Sequence, residues 1–488
     1  MEEDSAACGG FGNAAFSECV SDRSAGATSW GLTRDQGVFM THRRTVTPAR
    51  ARLLLAALGL LALIATSLGA GRAASATAPT FTDFKPPSTL GQRAGEPSIG
   101  SDWATGNIMY QAGLQTLRVN NFNDTAQTAT WANVGSPVTS TVSLDAIMFT
   151  DHLTNRTFAS QLLGACSLMA FTDNDGQSWT PNPIGCGLAA AADHQTIGGG
   201  PFATGLSGVG YPNTVYYCAQ AIATAQCSLS VNGGVTFNPA VPMYTILQCG
   251  GLHGHLVSAP DGTVYVPNGD CGGKQAVVAS TDNGTTWNVR TVPGSSTTSE
   301  GDPAVGVGSG GAVYLGYENG NGHAYVGVSH DRGSTWTNVT DVGAAFGIQN
   351  TKFPAVVAGD DDRAAFAFLG TPTGGDDQAA GFSGVWHLYV ATTYDGGATW
   401  STVDATPTDP VQRGCIWLGG GSNKCRNLLD FMGITVGQQG RIYVAYPDGC
   451  TSTCVSGGTN TYSSVATIAR QSGGTGLYAA YDAVGLGP

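Results

Sequence analysis

Apolar and polar residues alternate in short runs along most of the chain, and the runs are bounded by Gly, Asp or Asn. Clear examples are residues 261–266, 311–317 and 440–446. A period of two places successive side chains on opposite faces of a strand, whereas an amphipathic helix needs apolar positions three and four residues apart. No convincing helical pattern follows residue 80. The pattern therefore predicts an all-β chain of short strands and tight turns.

A second pattern, Ser/Thr-x-Asp/Asn-x-Gly-x-Ser/Thr-Trp/Phe, occurs five times. The five copies are residues 172–179, 230–237, 280–287, 329–336 and 393–400. The Gly permits a positive φ, and the Asp or Asn side chain accepts hydrogen bonds from N–H groups in the same turn. The aromatic ring then packs against the neighbouring strands. The pattern indicates a folding device rather than a direct ligand site.

Each repeat predicts four strands: an inner strand, a middle strand, a strand that leads into the repeated Ser/Thr-x-Asp/Asn-x-Gly segment and a strand that follows this segment. Four-stranded units repeated at such intervals are typical of propeller blades. We predict seven blades, with six as the alternative if the first two units merge. One propeller domain covers residues 93–488, and residues 77–92 form a lead-in segment. The seven inner strands begin near Glu96, Asp145, His194, His253, Asp302, Phe353 and Asp430.

The chain before residue 77 predicts export. A basic stretch precedes an apolar run at residues 53–70, and Ala74-Ser75-Ala76 fits a cleavage site. This layout indicates a signal peptide over residues 40–76, with a membrane anchor as the alternative. Residues 1–39 are expected to be untranslated, with Met40 as the true start, or to be unstructured. The other interpretation is a signal peptide with an unusually long N-terminal region. The mature protein is therefore expected to be secreted and extracellular.

Charge and cysteine content narrow the choice of partners. The net charge of −13 argues against nucleic acid and anionic membranes. After residue 76 the chain holds an even number of cysteines, which fall into neighbouring pairs, as expected of disulfides formed after export. The predicted pairs are Cys166–Cys186, Cys218–Cys227, Cys249–Cys271, Cys415–Cys425 and Cys450–Cys454.

The five copies resemble the Asp-box, or BNR, repeats of sialidases and related secreted bacterial propellers. The resemblance covers roughly residues 93–470 and implies a β-propeller of the sialidase-like superfamily. Sialidases clamp the substrate carboxylate with three Arg residues, the first of which lies in an Arg-Ile-Pro motif on the first inner strand. This chain has Glu96-Pro97-Ser98-Ile99 there. The resemblance therefore implies a sialidase-like fold without the arginine triad, since bidentate carboxylate binding requires Arg.

Aligning the inner strands on their first aliphatic residue predicts a ring of polar side chains. Equivalent positions of the blades stand at one height around the central channel, so the ring is expected at one channel mouth. The candidate catalytic residues are Glu96, Asp145 and Asp302. The candidate substrate-binding residues are His194, His253, His255, Lys352 and Asp430.

The ring admits three interpretations. Its members could cap the strand starts and solvate the mouth, bind sugar hydroxyls or act as an acid/base pair, or hold a divalent cation. We expect an extracellular carbohydrate or protein ligand, no obligatory cofactor and a monomer with no membrane contact. The sequence thus predicts a propeller that binds or acts on glycans, as a glycoside hydrolase if it is an enzyme; a non-catalytic binding propeller is the alternative.

Overall fold

The computed structural model describes residues 76–487 apart from 142–144, 164–165, 183–191, 222, 251 and 298–300. The predictions for residues 1–39 and for nearly all of the signal segment lie outside these residues. β-Strands are the dominant regular secondary structure of the described chain, and its only helices are four single 3-10 turns. In this part of the chain no helix is long and apolar enough to cross a bilayer.

The strands form seven sheets arranged as the blades of a β-propeller, so the seven-blade prediction is confirmed and the six-blade alternative is wrong. Every blade is an antiparallel meander of four strands, written here from the inner strand outward. Blade 1 is β2 Ser98–Ser101, β3 Ile108–Ala112, β4 Gln115–Asn123 and β5 Thr128–Asn133; blade 2 is β6 Ile147–Thr150, β7 Thr157–Leu163, β8 Cys166–Thr172 and β9 Thr180–Pro181; blade 3 is β10 Ala192–Gly200, β11 Thr214–Ala221, β12 Thr224–Ser230 and β13 Val241–Thr245.

The remaining blades follow the same order, with one extra strand in blade 6, where β26 pairs with β24. Blade 4 is β14 Val257–Ser258, β15 Val264–Asn268, β16 Ala276–Ser280 and β17 Asn288–Thr291; blade 5 is β18 Ala304–Val307, β19 Val313–Glu318, β20 Ala324–Ser329 and β21 Thr337–Asp341; blade 6 is β22 Asn350–Ala358, β23 Ala364–Thr371, β24 Val385–Thr393, β25 Ser401–Asp404 and β26 Gln412–Arg413. The three inner strands of blade 7 are β27 Gly433–Val436, β28 Ile442–Asp448 and β29 Val465–Gly473.

The outer strand of blade 7 comes from the beginning of the described chain. This strand, β1 Thr80–Phe84, pairs antiparallel with β29. It lies in residues 77–92, which the sequence analysis treats as a lead-in, and it closes the ring of blades. Phe84 is fully buried there, between the last blade and the first.

The hydrophobic core lies between neighbouring blades. In one cluster of buried side chains, Tyr314 and Val326 of blade 5 pack with Phe366 and Tyr389 of blade 6. Other clusters join further pairs of adjacent blades in the same way. Each sheet buries both of its faces against the neighbouring blades. The middle strands therefore carry apolar side chains on both sides.

The five repeated segments form turns with one hydrogen-bond pattern. In residues 280–287, the Gly284 N–H donates to Ser280 Oγ at 2.9 Å and the Thr286 N–H donates to Asp282 Oδ1 at 2.8 Å. Equivalent bonds occur in the other four copies. Gly284 has a φ of 77°, as the turn requires. The side chains of these segments thus close their own turns.

Four of the five predicted disulfides are present: Cys218–Cys227, Cys249–Cys271, Cys415–Cys425 and Cys450–Cys454. The pair Cys218–Cys227 joins directly opposite residues of β11 and β12. The fifth prediction, Cys166–Cys186, involves residue 186, which lies outside the described residues. Disulfides of this kind fit an oxidising compartment.

The up-and-down order of the strands in each blade determines which loops lie at the same face of the propeller as the starts of the inner strands. Because successive strands run in opposite directions, the connections from the second to the third strand and from each outer strand to the next inner strand lie at one face. The five repeated turns connect the third and fourth strands, so they lie at the opposite face. The face that holds the inner-strand starts is called the mouth face below.

Candidate functional site

The predicted ring positions share a backbone conformation. Glu96, Asp145, His194 and Phe353 stand just before or at the start of the inner strands with φ between 48° and 57°. Non-glycine residues adopt a positive φ infrequently, and such residues cluster at functional sites. The recurrence of a positive φ at this position in four blades supports the alignment that placed these residues in register.

In blade 7 the equivalent position is Leu429, whose φ is 61°. Asp430, the sequence candidate for this blade, is therefore one residue beyond the equivalent position.

His194 joins the acidic residues of two other blades. Its backbone N–H donates to Asp145 Oδ2 at 2.6 Å. Its ring Nδ1 lies 3.1 Å from Asp302 Oδ2 and 3.3 Å from the carbonyl oxygen of His253. Candidates from blades 2, 3, 4 and 5 are thus within direct contact of one another.

Glu96 belongs to the same mouth through a second group of contacts. Its carboxyl lies close enough to Asp430, Asp145 and His194 for these groups to shift its pKa. Asp430 in turn accepts two hydrogen bonds from Arg426, both at 2.6 Å. Arg426 also donates to the carbonyl of Leu418 at 3.0 Å. The polar cluster therefore extends from blade 5 around to blade 7 and into the insertion 407–427.

Arg426 is a mouth residue that the sequence analysis missed. It ends the 3-10 turn Lys424–Arg426, next to the Cys415–Cys425 disulfide. The spacing of Arg426 and Asp430, four residues apart, is a local signal for an ion pair. Such pairs are common on protein surfaces, so the spacing by itself does not point to the channel.

The acidic groups of the mouth have different surroundings. Glu96 is only 5% exposed, and burial together with the charges of Asp145 and Asp430 raises its pKa well above the ordinary 4.5. Asp430 is matched by the guanidinium of Arg426. Glu96 thus has a raised pKa while its neighbour Asp430 is paired with a guanidinium, and unlike surroundings of two carboxyl groups are how enzymes divide acid and base roles.

The two other histidines are held neutral. Burial lowers the pKa of His253 to about 4, and it lowers that of His255 to the same value. His253 is 1% exposed, and its Nδ1 lies 3.0 Å from the carbonyl oxygen of Gly254. His255 packs edge-on against Phe431, with ring centroids 4.4 Å apart. Both imidazoles form the apolar and hydrogen-bonding wall of the mouth rather than its charged groups.

Lys352 does not contact this cluster. Its ammonium lies 3.0 Å from Glu318 and 2.9 Å from Asp377, between blades 5 and 6. It directly precedes Phe353, the ring position of blade 6, but side chains of consecutive strand residues point to opposite sides. The apolar Phe353 leaves blade 6 without a polar ring member.

The central channel holds a cavity of about 500 Å³ below the mouth. Its walls are aliphatic side chains and glycine backbone of the inner strands, such as Met148, Ile197 and Gly306, and His255 is the ring residue that borders it. Asp151, His152 and Asn213 also line the cavity, so polar groups occur along the channel as well as at its mouth. In the described part of the chain, no three His, Cys, Asp or Glu side chains are grouped so that they could hold a metal ion.

Comparison with known proteins gives the fold alone. No family model and no curated protein matches this chain. Solved structures match over most of its length: a GH74 enzyme from Niastella koreensis (15% identity, 76% of this chain, 53% of that chain, TM-score 0.45), a Hadza microbial sialidase (12%, 75%, 73%, 0.39) and a lectin from Burkholderia pseudomallei (14%, 79%, 99%, 0.48). No activity follows from similarities of this size.

Proposed function

We propose that this chain is a secreted, sialidase-like Asp-box propeller that binds glycans at the mouth of its channel. The supporting observation is the convergence of Glu96, Asp145, His194, Asp302 and Asp430 from five blades on one mouth. Carboxylates accept hydrogen bonds from hydroxyl groups, and imidazole both donates and accepts. A sugar presents many hydroxyls of both kinds, so it matches this set of groups.

The ligand is expected to be neutral or cationic at the mouth. Arg426 is the arginine that the contacts place in this cluster, and Asp430 already occupies its guanidinium in a bidentate pair. A substrate carboxylate would have to displace Asp430 and would meet the acidic ring. We therefore propose that the protein does not clamp the carboxylate of sialic acid as the sialidase family does.

Binding can be tested with a glycan array and the variant Asp302→Asn. Removing this charge breaks the contact with His194 and is expected to weaken binding at least about tenfold, as for the loss of a charged hydrogen bond. The matched control is Asp331→Asn at the opposite face, where two of the five copies already carry Asn. Equal binding by wild type and Asp302→Asn would exclude the mouth as the glycan site.

A second candidate function, glycoside hydrolysis, is favoured by the raised pKa of Glu96. A buried acid with a raised pKa can protonate the leaving oxygen. Asp430 is a poor second carboxyl group, because its two oxygens already accept hydrogen bonds from Arg426. Asp145 or Asp302 is the proposed partner.

Release of reducing sugar separates the two candidates. If the protein is a hydrolase, Glu96→Gln should lower turnover roughly 100-fold or more while binding persists. If wild type binds a glycan and releases no sugar from any bound species, the protein is a binding propeller and the hydrolase proposal fails.

A further inference from the structure

A polar cleft of about 540 Å³ lies on the mouth face between blades 5 and 6. It is formed by the connection that follows β19, by the start of β22 and by the insertion 371–385 that follows β23. Its volume is in the range of small-molecule sites, roughly 300–1,000 Å³. The cleft contains none of the residues assigned to the mouth cluster above.

The floor of the cleft consists of four buried polar side chains, Glu318, Asn350, Lys352 and Asp377, each less than 9% exposed. The Lys352 ammonium lies 3.1 and 3.0 Å from the two carboxylate oxygens of Glu318 and 2.9 Å from Asp377. These charges raise the pKa of Lys352 despite its burial, so the ammonium stays charged. A buried group of this kind stabilises a fold weakly compared with apolar packing.

The walls are exposed and are held in place before any ligand arrives. Asn350 donates to the carbonyl oxygens of Thr373 and Gly375 at 2.9 and 3.1 Å, which fixes the insertion against β22. Gly375 has a φ of 103°, a conformation that a side chain would strain. Glycine here leaves the backbone of the wall open to close approach by a ligand.

The charges of the floor select the class of ligand. A metal ion is disfavoured because the Lys352 ammonium already occupies the space between the two carboxylates. An anion is disfavoured because one ammonium is outweighed by two carboxylates. An apolar molecule would leave these buried groups without solvent or ligand contacts, which is costly. A neutral molecule with several hydroxyl groups can donate to the carboxylates and accept from the amides.

We propose that the cleft between blades 5 and 6 is a second binding site, for a neutral hydroxyl-rich ligand of the size of a short saccharide. The proposal stands on the residues of the cleft and does not require binding at the mouth. The predicted substrate-binding role of Lys352 then belongs to this cleft: Lys352 orients the two carboxylates toward the ligand and does not act in the ring.

Gly374 offers a way to block the cleft without disturbing the fold. A Cβ added there would lie 3.6 Å from Gln349 Cβ, an ordinary contact, and its φ is not positive. Gly374→Phe therefore fills the cleft with a ring. The matched control is Gly381→Phe. Gly381 lies in the same insertion but does not line the cleft, and a Cβ added there meets nothing within 4 Å. Gln349→Trp, at an exposed wall residue, is the second blocking variant.

The probes are neutral malto-, cello-, xylo- and chitotriose, with binding measured by calorimetry. We expect at least one trisaccharide to bind the wild type, both blocking variants to weaken this binding at least about tenfold, and Gly381→Phe to bind normally. Unchanged binding in the blocking variants, loss of binding in Asp302→Asn alone, or no binding of any trisaccharide would overturn the proposal. Loss in Asp302→Asn alone would assign the ligand to the mouth, so the two proposals fail separately.

Discussion

Glu96 lies where acidic side chains from three blades meet. Burial raises its pKa, and repulsion from Asp145 and Asp430 raises it further. At the scale of single residues, the chemistry of the mouth depends on how much each carboxyl is desolvated rather than on how many carboxyls are present.

The state of Glu96 predicts a pH-dependent effect of Glu96→Gln on stability. With a folded pKa above the ordinary 4.5, the folded protein binds more protons than the unfolded chain as pH rises past 4.5. Wild-type stability therefore falls from that pH toward the folded pKa, and Gln removes the loss. The free energies of unfolding should agree near pH 4, and the variant should be the more stable protein at pH 8.

Denaturant unfolding at both pH values measures this difference. Asp331→Asn is the control with the opposite sign, because hydrogen bonds from Thr335 lower the pKa of Asp331. The wild type should gain stability relative to that variant as pH rises toward 3.8, so this control is also measured below pH 4. A Glu96→Gln effect of the same size at pH 4 and pH 8 would show that Glu96 is ionised in the folded protein.

At the scale of elements, the repeated turns and the inner-strand starts have different tasks. The turns satisfy their polar groups internally, as the bonds from Thr286 to Asp282 illustrate, and they lie at the face opposite the mouth. The inner-strand starts place positive-φ residues and polar side chains in contact with other blades. The repeated turns and the polar inner-strand starts therefore lie on different strands and at opposite faces of the propeller.

Trp287→Ala tests this division. The indole donates to the Gly284 carbonyl at 3.1 Å and packs on the core between blades 3 and 4, but it is only partly buried. We expect a loss of roughly 2–3 kcal/mol in unfolding free energy, below the 3–5 kcal/mol of a fully buried Trp. Glycan binding per folded molecule, measured at a temperature where both proteins are folded, should not change. A stable variant with lost binding would place a ligand at the turns instead.

At the scale of the whole molecule, the ring is closed by pairing between the two ends of the described chain. Residues 80–84 align with residues 468–473 in one antiparallel ladder. The Lys85 ammonium then lies 2.7 Å from Asp409 and from Asp448, which belong to blades 6 and 7. Closure by backbone hydrogen bonds removes the free edge that β29 would otherwise present.

A chain that begins at Pro86 should therefore be much less stable than one that begins at Ala76. It lacks the β1 ladder and the buried Phe84 ring, whose loss alone typically costs about 3–5 kcal/mol. Thermal unfolding measures the loss, and size-exclusion chromatography detects association through the exposed β29 edge. A truncated protein with the melting temperature of the longer chain would mean that blade 7 does not need its outer strand.

The sequence by itself determined the features that arise from residues close together in the chain. The strand alternation, the five turns and the disulfide pairs Cys218–Cys227 and Cys450–Cys454 all depend on neighbours within one blade, so local patterns reveal them. The inner-strand alignment also predicted which positions share a height, because every blade repeats the same geometry.

Only the tertiary structure decided which of these positions meet. The pairing of β1 with β29, the approach of Arg426 to Glu96 through Asp430, and the contacts of Lys352 with Glu318 and Asp377 join residues that are distant from one another in the chain. No local pattern encodes such contacts, because they depend on how blades pack around the axis and on where insertions fold back. The raised pKa of Glu96 was equally hidden, since desolvation is a property of the assembled mouth and not of the residue.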